Sequence, residues 1–315
     1  ALVATAGVAA ADVTFGGYGR FGIIYNEGAT ANETSITSRY RLQIDATAES
    51  DSGVTFGARV RIQQDNDGAA TTNQVGEDAA DGDGAFNGSR EETGINGVRF
   101  FARSGGLEVG VGNIFGAIES MPGMYPVELG LTGLSYDYII NGAGGRSQAY
   151  SSDGNGAAGR NGVEVMYSAG DLSVHVSYSE FDVTANNNDL EGERLEAHIA
   201  YTFSGWTVAL GLQDSDNATD TELALTVGGS IGAVDLTFGY ADNGTDGDSI
   251  AIAAGFDVGA ATRVSAVIMD DDSATDTVYG IGVNHDLGGG TSIRGGIQNN
   301  SAGNTVADLG VRFNF

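Results

Sequence analysis

The sequence predicts an all-β chain, a sixteen-stranded antiparallel transmembrane β-barrel. Three observations point there. Apolar and polar residues alternate strictly over runs of about 10–15 residues, where ordinary strands run to ~5–6 and tilted membrane strands need ~9–11. The connections alternate between short turns and long polar loops, the asymmetry of an outer-membrane barrel. Arginines gather on the polar face of the runs, where a dry interior could not hold them.

The chain has 315 residues, with 51 Gly, 2 Pro and no Cys. Its formal charge is −28, from 14 basic and 42 acidic residues, and every Lys/Arg position is Arg. No run approaches the ~18 apolar residues of a membrane helix. The first eleven residues, ALVATAGVAAA, are small and apolar and end in an Ala-x-Ala pattern. They read as the tail of a secretory signal, so residues 12–315 are expected to form a single barrel domain. A chain without cysteine is no disulfide-stapled scaffold.

In FGGYGRFGIIYN, Gly17, Gly19 and Gly22 match the dinucleotide fingerprint G-x-G-x-x-G. That fingerprint needs a helix opening on its last glycines. None follows. With period two, Val13, Phe15, Gly17, Gly19, Phe21, Ile23 and Tyr25 share one face, while Tyr18, Arg20 and Asn26 lie on the other. The stretch is one long amphipathic strand. In RYRLQIDAT, Tyr40, Leu42, Ile44 and Ala46 oppose Arg39, Arg41, Gln43 and Asp45. In VTFGARVRIQ, Phe56, Ala58, Val60 and Ile62 oppose Gly57, Arg59, Arg61 and Gln63. LSVHVSYS, LEAHIAYTF, VDLTFGY and IAIAAGFDV continue the theme.

Short turns are expected near 51–53, 104–106, 169–171, 204–205, 231–233, 258–260 and 287–290, rich in Gly, Asp and Ser as tight hairpins require. Longer loops are expected near 27–32, 65–92, 116–160, 184–191, 214–220, 242–247, 270–276 and 299–304. Both prolines, Pro122 and Pro126, fall in the longest of these. Aromatics on the apolar face stand near strand ends (Tyr25, Phe56, Phe203, Trp206, Tyr240, Phe256, Phe315), where interfacial girdles would place them.

Ten arginines lie on polar strand faces: Arg20, Arg39, Arg41, Arg59, Arg61, Arg99, Arg103, Arg263, Arg294 and Arg312. Burying each without water would cost several kcal/mol, and ten would exceed a domain's whole stability of ~5–15 kcal/mol. The apolar face must therefore meet lipid, and the polar face must enclose water. Small outward residues (Gly17, Gly19, Ala46, Ala48, Ala58, Ala102, Ala307) form a band suited to close contact with another subunit. The three histidines, His175, His198 and His285, show no triad or metal spacing. The 65–92 loop is strongly acidic, and Asp78, Asp81 and Asp83 are possible Ca²⁺ ligands by residue type.

In their order and spacing, FGGYGRFGIIYN, VGNIFGAIESMPGMYPVELG, YGIGVNHDLGGGTSIRGGIQ and VADLGVRFNF resemble the trimeric, sixteen-stranded general-diffusion porins of the alphaproteobacterial type. The terminal Phe315 is similar to the C-terminal aromatic by which outer-membrane barrels are recognised for assembly. The resemblance implies a homotrimer in the bacterial outer membrane, among lipid and lipopolysaccharide, that is no enzyme and binds no nucleic acid. It implies that the 116–160 loop folds into the lumen and narrows it. The loop's acidic candidates are then Glu119, Glu128 and Asp137, and the facing basic wall is Arg20, Arg39, Arg41, Arg59, Arg61 and Arg99. Small hydrophilic solutes and ions would cross passively, with a weak preference for cations set by the acidic mouths. A substrate-specific channel would need an aromatic track, of which only Tyr18 and Phe101 point inward on the early strands. An exported adhesin would be water-soluble.

Overall fold

The computed structural model describes residues 12–30, 32–66, 92–95, 97–136, 161–185, 188–216 and 220–315. The strands in chain order are β1 (Asp12–Asn26), β2 (Thr34–Glu49), β3 (Thr55–Asn66), β4 (Glu92–Ile95), β5 (Arg99–Ser104), β6 (Leu107–Asn113), β7 (Asn161–Ala169), β8 (Leu172–Ala185) and β9 (Asn188–Phe203). They continue as β10 (Trp206–Ser215), β11 (Glu222–Ile231), β12 (Val234–Asp242), β13 (Asp248–Asp257), β14 (Thr262–Asp271), β15 (Val278–Gly288), β16 (Thr291–Asn299) and β17 (Thr305–Asn314). Apart from β4 and β5, which both pair with β3, each pairs antiparallel with its neighbours in sequence, and β1 pairs with both β2 and β17, so the sheet closes. Closure removes every free edge, the condition for a sheet in lipid.

Seventeen segments make sixteen strands because β4 and β5 lie end to end along β3. Ile62 pairs with Ile95 and Arg59 with Arg99.

The alternation has the expected sense. Phe15 is 67% exposed and Phe203 72%, and Phe21, Ile23, Ile36, Phe56, Ile199, Ile252 and Leu309 also stand on the outer surface. A belt of this kind is stable only against hydrocarbon. All seven short turns fall where the sequence placed them, with Gly53, Gly106, Gly170, Gly205, Gly232, Gly259 and Gly289 at positive φ. One loop differs. β8 extends to Ala185 and β9 begins at Asn188, paired from Leu172↔Tyr201 to Ala185↔Asn188, so the expected loop at 184–191 is mostly ladder. Its polar residues look like loop because this hairpin outruns the apolar belt.

Phe315 closes the seam. Its carbonyl accepts the Gly17 N–H at 2.9 Å, and its ring stacks on Tyr40 at 5.6 Å. A Cβ on Gly19 would sit 2.4 Å from the Phe313 ring, so this glycine serves close packing. At the other end, Glu27 accepts the Thr305 N–H at 2.9 Å. That bond holds its carboxyl below the usual carboxylate range. Residues 1–11 lie outside the described residues.

Candidate functional site

The chain leaves β6 at Asn113 and turns inward. Its first residues are held by β7, β8 and β9. Phe115 N–H donates to Glu164 Oε2 at 2.9 Å, and Ala117 N–H to Ser177 Oγ at 2.9 Å. His198 Nδ1 meets the Ala117 carbonyl at 2.5 Å, and Ser120 Oγ meets His175 Nδ1 at 2.8 Å. Glu164 is 0% exposed and carries the cluster: Arg99 Nε lies 2.5 Å from its Oε1 and His175 Nε2 3.0 Å from its Oε2. Arg99 also reaches Glu108 at 2.6 Å and lies over the Phe115 ring at 4.5 Å.

The middle of the loop packs through apolar side chains. Ile118, Met121, Met124 and Leu129 are buried against Ala200, Ala209, Ala224, Ala241, Ala251, Ala253, Val267 and Met269. Those wall residues occupy the inward positions of β9–β14. Small side chains there leave room for the loop, and its apolar underside covers what would otherwise be greasy wall facing water. Thr226 Oγ1 donates to the Pro122 carbonyl at 2.5 Å.

The tip is anchored on β15–β17 and β1. Asp308 accepts Leu131 N–H at 2.8 Å, Thr132 N–H at 2.7 Å and Thr132 Oγ1 at 2.8 Å. Arg20 Nη1 donates to the Leu131 carbonyl at 3.1 Å, and Gln298 Nε2 to the Leu134 carbonyl at 2.9 Å. Leu131 fits over Gly22 and Gly310, where an added Cβ would approach its Cδ2 to 2.7 and 2.5 Å. Leu134 and Tyr136 hold φ values of 45° and 57°, uncommon for non-glycine residues. The loop thus follows the inner wall from β7 round to β1; Phe115 at its start also lies against Arg99 on β5 and 5.9 Å from Arg59 on β3, and none of these contacts reaches β2.

β2 and β3 carry Arg39, Arg41, Arg59 and Arg61. Arg41 Nε donates to Gln63 at 2.6 Å, Arg59 pairs with Asp45 at 2.6 Å, and Arg61 Nε donates to Gln43 at 3.1 Å. Arg39 Nη1 donates to Tyr18 Oη at 3.4 Å, and Arg41 and Arg312 lie against the Tyr18 ring at 5.3 and 4.2 Å. Arg39, Arg20 and Arg312 sit on one rung of three adjacent strands. Glu128 of the loop reaches this cluster: its side chain is 68% exposed, 2.5 Å from Arg294 and 3.9 Å from Arg312.

The residues singled out from sequence therefore divide. Arg39, Arg41, Arg59 and Arg61 line the wall of β2 and β3, and Glu128 of the loop lies beside that wall, paired with Arg294 and Arg312. Arg20 and Arg99 are buried beneath the loop rather than opposite it, because the loop's backbone and Glu164 claim their donors. The charge of Glu119 acts on Arg194 of β9 rather than on the wall arginines named with it. Asp137, and the Ca²⁺ candidates Asp78, Asp81 and Asp83, lie outside the described residues.

Sequence reasoning missed Asp308, Glu164, Arg194, Glu196 and the two inward histidines as loop anchors. Arg294 and Arg312 were visible as polar-face residues, but nothing in the sequence tied them to Glu128. Ser120, His175 and Glu164 also line up in the order of a nucleophile triad. Here they fasten the loop, and the Ser120 hydroxyl lies 2.7 Å from the Gly116 carbonyl.

A family model described as Gram-negative porin matches residues 1–305. The porin of Fuscovulum blasticum is 33% identical over 323 residues, covering 96% of this chain and 100% of that one. The porin of Rhodobacter capsulatus is 30% identical over 338 residues, with the same coverage of both. A solved structure of a mutant of Rh. blastica porin superimposes with a TM-score of 0.75 at 29% identity, again covering 96% of this chain and 100% of that one. A closed sixteen-stranded barrel with an apolar outer belt, an arginine-lined interior and near-complete match to these relatives leads to one conclusion: the chain belongs to the Gram-negative porins, passive channels of the bacterial outer membrane.

Proposed function

We propose that this porin is a general-diffusion channel, sieving small hydrophilic solutes and ions by size and by a field across its aperture. The observation that carries the reading is the course of residues 114–136 along one side of the lumen, with the Glu128 carboxylate held at its lumen edge by Arg294 and Arg312. On the neighbouring strands β2 and β3 stand the guanidiniums of Arg39, Arg41, Arg59 and Arg61. Guanidinium stays charged at every working pH and its fork is rigid, so the field is fixed. Water in such a field is ordered. A polar solute replaces the hydrogen bonds of the water it displaces, and an apolar one does not.

The basic wall alone would favour anions. The chain as a whole carries 42 acidic residues against 14 arginines, many of them in the loops at the mouths. Mouths of that sign concentrate cations, so the net preference is weakly for cations and fades as salt screens the mouths. Reversal potentials across a bilayer with a salt gradient test this. Cation preference at low salt, shrinking at high salt, is expected; anion preference at low salt contradicts it.

The same reading takes the barrel as one protomer of a homotrimer among lipid and lipopolysaccharide. Gly17, Gly19, Ala46, Ala48, Ala58, Ala102 and Ala307 share the outward face of five adjacent strands, where small side chains admit a close neighbour.

A further inference from the structure

Two tyrosines on the inner loop behave unlike its other large apolar residues. Ile114, Ile118, Met124, Leu129 and Leu134 are at most 1% exposed, whereas Tyr125 is 43% exposed and Tyr136 36%. The two rings meet edge to face, with centroids 6.4 Å apart and planes at 82°. Tyr136 is fixed by its own turn. Its N–H donates to the Gly133 carbonyl at 2.9 Å, and its ring packs so closely on Gly133 that a Cβ there would come within 2.3 Å of it. Its φ of 57° is strained for a tyrosine, and strain of this kind gathers at ligand sites. Glycine would make the same turn without strain, so what the tyrosine adds is its ring.

The register of β16 sets the depth of these rings. Gln298, which holds the Leu134 carbonyl, is one residue from the long-loop end of the strand. Arg294 lies four residues earlier on the same strand, about 14 Å away along it. At that level Glu128 meets Arg294 and Arg312, and Arg312 lies 4.2 Å from the Tyr18 ring. A solute descending from the long loops therefore meets two aromatic rings, then a carboxylate with two guanidiniums, then a third ring. Tyr18 was visible as an inward aromatic on its strand; the loop supplies the other two.

Charges of both signs at one level select the ligand. An aromatic anion would be drawn to Arg294 and Arg312 but repelled by Glu128, and an aromatic cation would meet the reverse. A neutral solute rich in hydroxyls donates to the carboxylate and accepts from the guanidiniums at once. A sugar ring also has a flat face of C–H groups that can cover a tyrosine, a side chain that offers large, rigid contact area at low entropic cost. Apolar surface with a few well-placed polar groups is the usual make-up of a small-ligand site. Resting on the reading of the barrel as a diffusion channel, we infer that Tyr125, Tyr136, Glu128, Arg294 and Arg312 form a carbohydrate station, which binds short neutral oligosaccharides weakly on their way through the lumen. The binding is weak because a conducting site must also let go.

The test is current through single channels in a planar bilayer as maltotriose is added to both sides. Block that saturates in the millimolar range, with added current noise, is expected. A polyethylene glycol of equal size should lower the current only in proportion to its concentration. Tyr125→Ala should raise the half-blocking concentration roughly ten-fold, as loss of an aromatic anchor does, with sugar-free current unchanged. Tyr136→Gly keeps the turn and should act alike, while Tyr125→Phe keeps the ring and should block as wild type does. Block by maltotriose no different from that by the glycol overturns the inference. So does a Tyr125→Ala or Tyr136→Gly channel that blocks like wild type, or a Tyr125→Phe channel that blocks as poorly as Tyr125→Ala. Stronger block by benzoate or benzylamine than by maltotriose also overturns it, in favour of a charged aromatic ligand. Absence of conductance steps in any condition would instead contradict the channel reading itself.

Discussion

Asp308→Ala should free the tip of the loop while leaving the barrel intact. Asp308 accepts from three donors, the N–H groups of Leu131 and Thr132 and the Thr132 hydroxyl, at 2.7–2.8 Å. Hydrogen bonds to a charged acceptor contribute about 1.5–3 kcal/mol each. The three are not additive, and water from the lumen can enter the space left behind. A net loss of about 3 kcal/mol is therefore reasonable. Arg20 and Gln298 still hold the Leu131 and Leu134 carbonyls. At 1.4 kcal/mol per tenfold, the released population rises roughly 100-fold. Hydrogen exchange of residues 129–134 reads this directly. The expected result is loss of protection there, of about that factor, with exchange in β1–β17 unchanged. Protection at the tip equal to wild type would refute the anchoring role. Loss of protection throughout the barrel would show that Asp308 supports the wall rather than the loop.

Two further outcomes follow from the same contacts. Arg99→Ala leaves Glu164 buried with a charge that its main partner no longer meets, which should destabilise the protein by about 3–5 kcal/mol in thermal unfolding. Glu164→Gln in the same background should recover part of that loss. Glu128→Gln removes the carboxylate at the lumen edge of the loop and should shift the reversal potential towards anions, with little change in barrel stability.

The barrel was legible because lipid imposes one rule on every strand. Phe15, Ile44, Phe56 and Ile252 must face out, so period two persists through the whole chain, and Gly, Asp and Ser mark each tight turn. The interior obeys no single rule. Where it is wet, at Arg39, Arg41, Arg59 and Arg61, the polar face is plain in the sequence. Where the loop covers it, Ala209, Ala224, Ala251 and Ala253 replace polar residues, and the contrast between faces weakens. Their small size was the available signal, since inward alanines and glycines on consecutive strands mark space reserved for another segment. Anchors such as Asp308 and Glu164 were not legible. Each is separated from its loop partner by dozens of residues or more, and an inward carboxylate on a strand looks the same whether it faces water or a backbone N–H.

The account rests on the outward face meeting hydrocarbon and the inward face meeting water. With no native cysteine, adjacent residues on β2 can be compared cleanly. Gln43→Cys and Ile44→Cys barrels, reconstituted in a planar bilayer, should differ on addition of a membrane-impermeant cationic thiol reagent. Current through the Gln43→Cys channel should drop in steps, and current through the Ile44→Cys channel should not change. The reverse pattern, or equal block of both, would contradict the account.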